Sequence, residues 1–108
     1  MACSAPNDTV DAGFYDRADA HIELSNTQIT PSAGIGKVSA SMLYAAARFN
    51  AFVSASGFAS SQEMAAARQE TLDYFCHQYR AMLAEHLDDY ISRFDDYMVP
   101  GSQPAHEP

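Results

Sequence analysis

Apolar residues recur at helical spacing along three stretches of the chain, and Gly and Pro cluster between the first two. The first stretch runs from a capping Asp8 or Asp11 to about Ile29, with apolar positions three and four residues apart. The core stripe at this spacing consists of Phe14, Ala18, Ile22, Ser25 and Ile29. The segment 30–36, TPSAGIG, contains one Pro and two Gly, which predicts that the first helix ends there.

A second helix is predicted from about Lys37 to Ser56, and it has two apolar faces. One face contains Val38, Met42, Ala45, Phe49, Phe52 and Val53, and the other contains Ala40, Tyr44, Ala47, Ala51 and Ala55. Because a helix that is apolar on several sides packs between neighbours, we expect this helix to be central and buried. It is a poor membrane span, since a central Arg such as Arg48 costs about 2.5–3.5 kcal/mol to insert.

The third helix is predicted to be about twice as long as the others. Gly57 suits the C′ position that ends the second helix, and Ser60 with Glu63 forms a capping box for the next. No Gly or Pro occurs from Ser61 to Val99, so we expect a helix of about 38 residues, roughly 57 Å long. The second and third helices should form an antiparallel hairpin.

A long apolar stripe follows this third helix beyond the reach of the second. It comprises Leu72, Phe75, Tyr79, Met82, Leu83, Leu87, Tyr90, Ile91, Phe94, Tyr97 and Met98, opposite an acidic face that we expect to be solvated. Either the first helix or a second copy of the chain must cover its C-terminal half. We expect a homodimer. The interface is predicted at Leu83, Leu87, Tyr90, Ile91 and Phe94.

Composition supports one all-α domain, a bundle of three helices. The chain has 108 residues, of which 47% are hydrophobic, enough for a core of its own. We predict a helical domain over 11–99 with disordered tails at 1–10 and 100–108. The net charge of −8 argues against nucleic acid and anionic membranes as partners, because both require basic surfaces.

The two cysteines do not form a disulfide framework. Cys3 falls in the predicted tail, and Cys76 lies in the apolar stripe, where we expect a small buried hydrophobe. The first residues show neither a basic segment nor an apolar segment typical of a signal peptide. A cytosolic location is therefore expected.

Metal and cofactor motifs are absent from the sequence. No Glu-x-x-His, His-Glu-x-x-His or Cys-x-x-Cys pattern occurs, so neither a metal nor a cofactor is expected. Asp73 and His77 are four residues apart, which favours simple pairing over a metal site. His86 lies within the apolar stripe, where a hydrogen-bonded core or interface histidine is the first interpretation. A general base or a pH-sensitive interface group is the alternative.

A polar cluster could form between the first two helices. Its candidate ligand-binding residues are Arg17, His21, Arg48 and Asn50. A partly buried Arg48 requires an acceptor, for which Asp19, Glu23 or an acid of the third helix is available. A structural ion pair is the first interpretation, and an anion-binding pocket is the alternative.

Three segments of the chain resemble a family of small bacterial proteins, the domain of unknown function 3144. They are FYDRADAHIELSN, GKVSASMLYAAARFNAFVSASGF and YFCHQYRAMLAEHLDDYISRFDDYM, and together they extend from Phe14 to Met98. The resemblance implies a standalone domain of bacterial cytosolic origin. It implies no activity and no catalytic residues.

These observations favour a non-enzymatic interaction or structural module, because no nucleophile and base can be assembled from the sequence. An unidentified protein partner is compatible with this interpretation. The alternative is a small-molecule or anion-binding protein, or an enzyme, with its site near Arg48, Asn50 and His21.

Overall fold

The computed structural model describes residues 10–100, and the regular secondary structure in that range is α-helical. The helices are α1 Phe14–Thr27, α2 Ile35–Ala55, α3 Ser61–Ala66, α4 Arg68–Ser92 and α5 Phe94–Met98. The all-α class is therefore confirmed. The expected count of three helices is wrong, because the described range contains five: the predicted third helix is divided into α3, α4 and α5. The predicted tails lie almost wholly outside the described residues.

Helix α1 is shorter at both ends than its sequence pattern predicts. Asp11 does not cap it with its side chain, since the helix begins after Gly13, and Asp8 lies outside the described residues. At the other end, the amides of Gln28 and Ile29 donate to carbonyls three residues back, at 3.1 and 3.2 Å. These short-range bonds close the helix at Thr27, so Ile29 is not part of its apolar stripe.

A tight turn connects α1 to α2. Thr30 and Ala33 exchange two backbone hydrogen bonds, at 3.0 and 3.1 Å, and the Thr30 hydroxyl also accepts from the Ala33 amide at 3.1 Å. Gly34 then adopts an extended conformation, and its carbonyl accepts from the amides of Lys37 and Val38. Helix α2 consequently begins at Ile35, two residues earlier than the sequence predicts.

The connection from α2 to α3 confirms Ser60 as the N-cap, while the reciprocal bond of the predicted capping box comes from the residue before it. The Ser60 hydroxyl accepts from the Glu63 amide at 3.1 Å, and the Glu63 carboxylate accepts from the Ala59 amide at 2.9 Å. Gly57 behaves differently from a C′ glycine, because its φ is outside the left-handed range. Helix α2 instead ends through a bond from the Gly57 amide to the Ser54 carbonyl, at 3.1 Å.

Two residues interrupt the predicted long helix. Ala67 adopts φ −95° and ψ 4°, between α3 and α4, although alanine is a strong helix former and propensity does not predict a break there. Arg93 adopts φ −125° and ψ 34°, between α4 and α5. Helix α4 itself runs without interruption for 25 residues. None of the described helices combines the length and apolar character needed to cross a bilayer.

The chain divides into two units at Thr71 and Leu72, within α4. In the first unit α1 contacts α2, and the Ser25 hydroxyl donates to the Met42 sulfur at 3.4 Å. In the second unit the rings of Tyr90 and Tyr97 stack 4.4 Å apart. The single helical domain over 11–99 stays a prediction.

Few apolar side chains of a single chain are covered. Among residues 10–100, Val38 is the one buried apolar residue, at 6% exposure. The predicted positions on α1, other than Ile29, are half-buried. The prediction that α2 is buried between neighbours is wrong, since Tyr44, Phe49 and Phe52 are 71%, 63% and 65% exposed. Helix α1 has 14 residues against 21 in α2, so it is too short to cover its neighbour's length.

Candidate functional site

Arg17 of the predicted polar cluster is engaged locally. Its Nη2 donates to the Asp11 carboxylate at 2.6 Å. This hydrogen bond lowers the pKa of the Asp11 carboxyl and raises the pKa of Arg17. Because both side chains are more than half exposed, the pair contributes little stability. It ties the segment before α1 to the first turn of that helix.

The other three residues of the cluster lie on two helices. His21 is exposed on α1, Arg48 is exposed on α2, and Asn50 is half-buried on α2. None of their three side chains forms a hydrogen bond or ion pair with another described residue. The predicted ion pair of Arg48 with Asp19, Glu23 or an acid of the third helix does not form among residues 10–100. A ligand-binding role for Arg17, His21, Arg48 and Asn50 stays a prediction.

The position of Arg48 explains why it has no acceptor among the described residues. Tyr44 and Phe52, four residues before and after it, flank it on one side of α2, and all three are exposed. We call this surface, comprising Tyr44, Arg48, Phe49 and Phe52, the α2 outer face. The rings of Phe49 and Phe52 are 6.0 Å apart and tilted by 45°. This face presents exposed aromatic area around the positive charge of Arg48.

A second exposed apolar surface follows α4 and α5. We call it the C-terminal stripe: Tyr79, Met82, Leu83, Leu87, Ile91, Phe94 and Met98, all exposed. Four of the five predicted interface residues belong to it. The fifth, Tyr90, is half-buried beside Tyr97. The structure thus leaves the predicted interface open in a single chain.

The end of this stripe is fixed by a second set of polar contacts, at the junction of α4 and α5, that the sequence pattern did not reveal. The Tyr97 hydroxyl donates to Asp89 at 2.7 Å, and this bond is the main cause of a raised pKa for Tyr97. Arg93 lies 3.8 Å from Asp89 and 3.6 Å from Asp96, and its guanidinium carbon is 4.9 Å from the centre of the Tyr97 ring. These contacts hold α5 against the end of α4 despite the break at Arg93.

The structure also bears on the predictions for Cys76, for His86 and for metal binding. Cys76 is an exposed free thiol, so its predicted burial is wrong: the face of α4 that carries it is not covered. His86 is exposed within the C-terminal stripe, and its role stays a prediction. Within residues 10–100, no group of three or more His, Cys, Asp or Glu side chains could hold a metal ion.

Ser54 is the buried polar residue of the first unit. It is 1% exposed, and its hydroxyl has no hydrogen-bond partner among the described residues. A buried hydroxyl without a partner costs stability. Sequence reasoning did not single out this residue, because Ser at an interior helix position usually bonds to a carbonyl of the preceding turn.

Comparisons with known proteins agree with the resemblance drawn from the sequence. The solution structure "NMR structure of the protein NB7890A from Shewanella sp" is similar, with a TM-score of 0.66 and 39% sequence identity. The similarity covers 80% of this chain and 91% of that one. No curated protein matches. The family described as "Protein of unknown function (DUF3144)" matches residues 14–91, and the chain therefore belongs to that family.

Proposed function

We propose that this protein is a non-enzymatic interaction or structural module that acts as a homodimer through its C-terminal stripe. The observation that carries the proposal is the exposure of that stripe in a single chain. Leu87 and Phe94, near its centre, are 52% and 57% exposed. Contiguous apolar surface of this kind is characteristic of interaction sites.

The energy available from covering the stripe lies near the upper end of the cost of association. Covering the exposed half of one large apolar side chain is worth about 1 kcal/mol, so seven of them supply about 7 kcal/mol per copy. Two copies that cover each other's stripes gain about 14 kcal/mol, against an association cost of roughly 4–15 kcal/mol. A two-fold arrangement covers both stripes at once, so association through this surface stops at two copies.

A double substitution tests this proposal. Leu87→Asp with Phe94→Asp places two charges in the stripe, so we expect a folded monomer where the unmodified chain is a dimer. The assay is analytical ultracentrifugation, with helicity followed by circular dichroism. Leu24→Asp is the matched control, because Leu24 is 58% exposed on α1, outside the stripe. An unchanged assembly of the double variant would refute the proposal.

We further propose that this protein is bacterial and resides in the cytosol, which is consistent with the exposed free thiol of Cys76. Reactivity of Cys76 towards a thiol reagent in intact cells is the corresponding test. A lack of labelling in a protein that labels readily once purified would count against a reduced, exposed cysteine in the cell.

A second candidate function rests on a separate observation. Among the described residues, the side chains of Arg48 and Asn50 have no ion pair or hydrogen-bond partner, so both are free to bind a small anion, and we propose His21 as the third residue of that site. Phosphate titration followed by NMR tests this candidate. Shifts that saturate at His21, Arg48 and Asn50, and disappear in Arg48→Gln, would support it. Shifts spread evenly over all basic residues would count against it.

A further inference from the structure

Arg80 lies at one edge of the C-terminal stripe. A helix turns by about 100° per residue, so Arg80 falls between Leu87 and Ile91 around the axis of α4. It is exposed, and its side chain forms no hydrogen bond or ion pair with another described residue. No residue three or four positions away from it is acidic, so its neighbours on α4 offer no partner. A second copy that covers the stripe therefore comes close to an arginine without an acid beside it.

Helix α5 contributes an acid beside the stripe. Phe94 and Met98 continue the stripe on one side of α5, because they are four residues apart. Asp95 and Tyr97 flank that side in opposite directions, each about 80° away from it. Asp95 is exposed, and its side chain forms no hydrogen bond or ion pair with another described residue. Its carboxylate is thus available to a cation of another chain.

The contacts of Tyr97 show which edge of the stripe Asp95 occupies. The Tyr97 ring stacks on Tyr90 and its hydroxyl donates to Asp89, and Asp89 lies at the edge away from Arg80. Because Asp95 is on the other side of α5 from Tyr97, it lies at the edge that carries Arg80. Arg80 and Asp95 are about 22 Å apart along the helix axis, which is too far for an ion pair within one chain.

Two stripes can pack face to face with two-fold symmetry in two ways. If the two α4 helices run in the same direction, each edge meets the opposite edge of the second copy at its own height. Arg80 would then face the edge that contains Phe75, Met82 and His86, where no acid lies nearby. If the helices are antiparallel, each edge meets the same edge of the second copy. Only this arrangement brings Arg80 to Asp95, and charge complementarity of this kind selects the orientation.

We propose that the homodimer is antiparallel, with Arg80 of each copy paired to Asp95 of the second copy across face-to-face stripes. This inference rests on the proposed dimer and specifies its orientation and register. The two-fold axis lies near Leu87, midway between the paired residues. Leu87 is also near the middle of the stripe, which extends from Tyr79 to Met98, so the same register covers both of its ends. Two-fold symmetry forms the ion pair twice in each dimer.

Charge reversals test the ion pair. Arg80→Asp and Asp95→Arg alone each place like charges at both contacts, and we expect the dimer dissociation constant to rise about tenfold for each variant. The double variant Arg80→Asp with Asp95→Arg restores opposite charges at both contacts, and we expect it to dimerise like the unmodified chain. Ultracentrifugation measures the dissociation constants, and circular dichroism verifies folding.

A second double variant, Arg80→Asp with Asp88→Arg, is the matched control. It has the same net charge as the rescuing variant, but it places the added positive charge on the side of α4 turned away from the stripe. We expect it to dimerise as weakly as Arg80→Asp alone. Single variants that dimerise like the unmodified chain, or a rescuing variant no tighter than this control, would overturn the inference.

The native thiol of Cys76 tests the orientation independently. Cys76 is exposed and lies three residues before Tyr79, in line with the stripe. An antiparallel dimer places its two Cys76 residues about 35 Å apart, whereas a parallel dimer places them face to face. In a chain with Cys3→Ser, we therefore expect mild oxidation to produce no disulfide-linked dimer.

Leu87→Cys, in a chain with both native cysteines replaced by Ser, is the positive control for oxidation. It lies near the proposed two-fold axis, so we expect it to form a disulfide-linked dimer. Cross-linking through Cys76, or a failure of Leu87→Cys to cross-link while the chain is dimeric, would overturn this inference and leave the dimer intact. A monomeric unmodified chain would overturn both proposals.

Discussion

Replacing Ser54 by Ala is expected to stabilise the protein, although the change removes a polar group from a helix. The Ser54 hydroxyl is 1% exposed and has no hydrogen-bond partner among the described residues. A buried polar group left unpaired costs about 1–3 kcal/mol. The substitution removes that cost and replaces Ser by a better helix former, which adds a few tenths of a kcal/mol.

The net effect we expect is a gain of about 1–2 kcal/mol in the free energy of unfolding, reduced from the full penalty because removing the oxygen leaves a small void. For a domain of this size, such a gain raises Tm by about 4–8 °C for each kcal/mol. Urea unfolding at one fixed protein concentration is the assay, since the proposed dimerisation would also change the apparent stability.

Ser41→Ala is the matched control on the same helix. The Ser41 hydroxyl donates to the carbonyls of Lys37 and Val38, at 3.1 Å each, so its removal forfeits existing bonds and we expect a change within about 0.5 kcal/mol. A loss of 1 kcal/mol or more in Ser54→Ala would refute the reasoning, because it would show that the hydroxyl is hydrogen-bonded in solution.

Two further predictions concern the helix ends. Gly57→Ala should raise the free energy of unfolding by about 0.4–1 kcal/mol, because Gly57 has no left-handed φ and the added Cβ lies 3.5 Å from the Ser54 carbonyl oxygen; a loss in urea unfolding would contradict this. The folded-state pKa of Tyr97 is raised above 10.0 by its bond to Asp89. The bond therefore contributes its full stability at pH values below the pKa of Tyr97 in the unfolded chain. That contribution is lost as the pH rises through the pKa of Tyr97 in the folded chain. Tyr97→Phe should remove the step at highest pH from the tyrosinate absorbance titration, and an unchanged titration would refute this assignment.

The sequence predicted those parts of the fold that depend on local chemistry. The N-cap bond at Ser60 needs Glu63 three residues later, and it forms, while the Glu63 carboxylate accepts from the Ala59 amide in place of the Ser60 amide. The half-buried face of α1 follows from its three- and four-residue spacing. The break at Arg93 was not predicted, because the contact from Tyr97 to Asp89 joins residues eight apart and involves no Gly or Pro.

Burial was the less predictable property. Periodicity identifies which side of a helix favours cover, but it does not say whether the same chain provides that cover. Arg48, Cys76 and Phe52 were all expected to be covered to some degree within one chain, and all three are exposed. The same limit applies to the predicted cluster of Arg17, His21, Arg48 and Asn50, since the side chains of His21 and Arg48 form no hydrogen bond or ion pair with another described residue.

The mass of the unmodified protein in solution tests the central claim most directly. Multi-angle light scattering over a dilution series measures it without assumptions about shape. If a second copy covers the C-terminal stripe, the mass should be twice that of one chain at high concentration and should fall towards the single-chain value on dilution. A single-chain mass at every concentration would contradict the account, because the exposed stripe would then be stable in water without a partner copy.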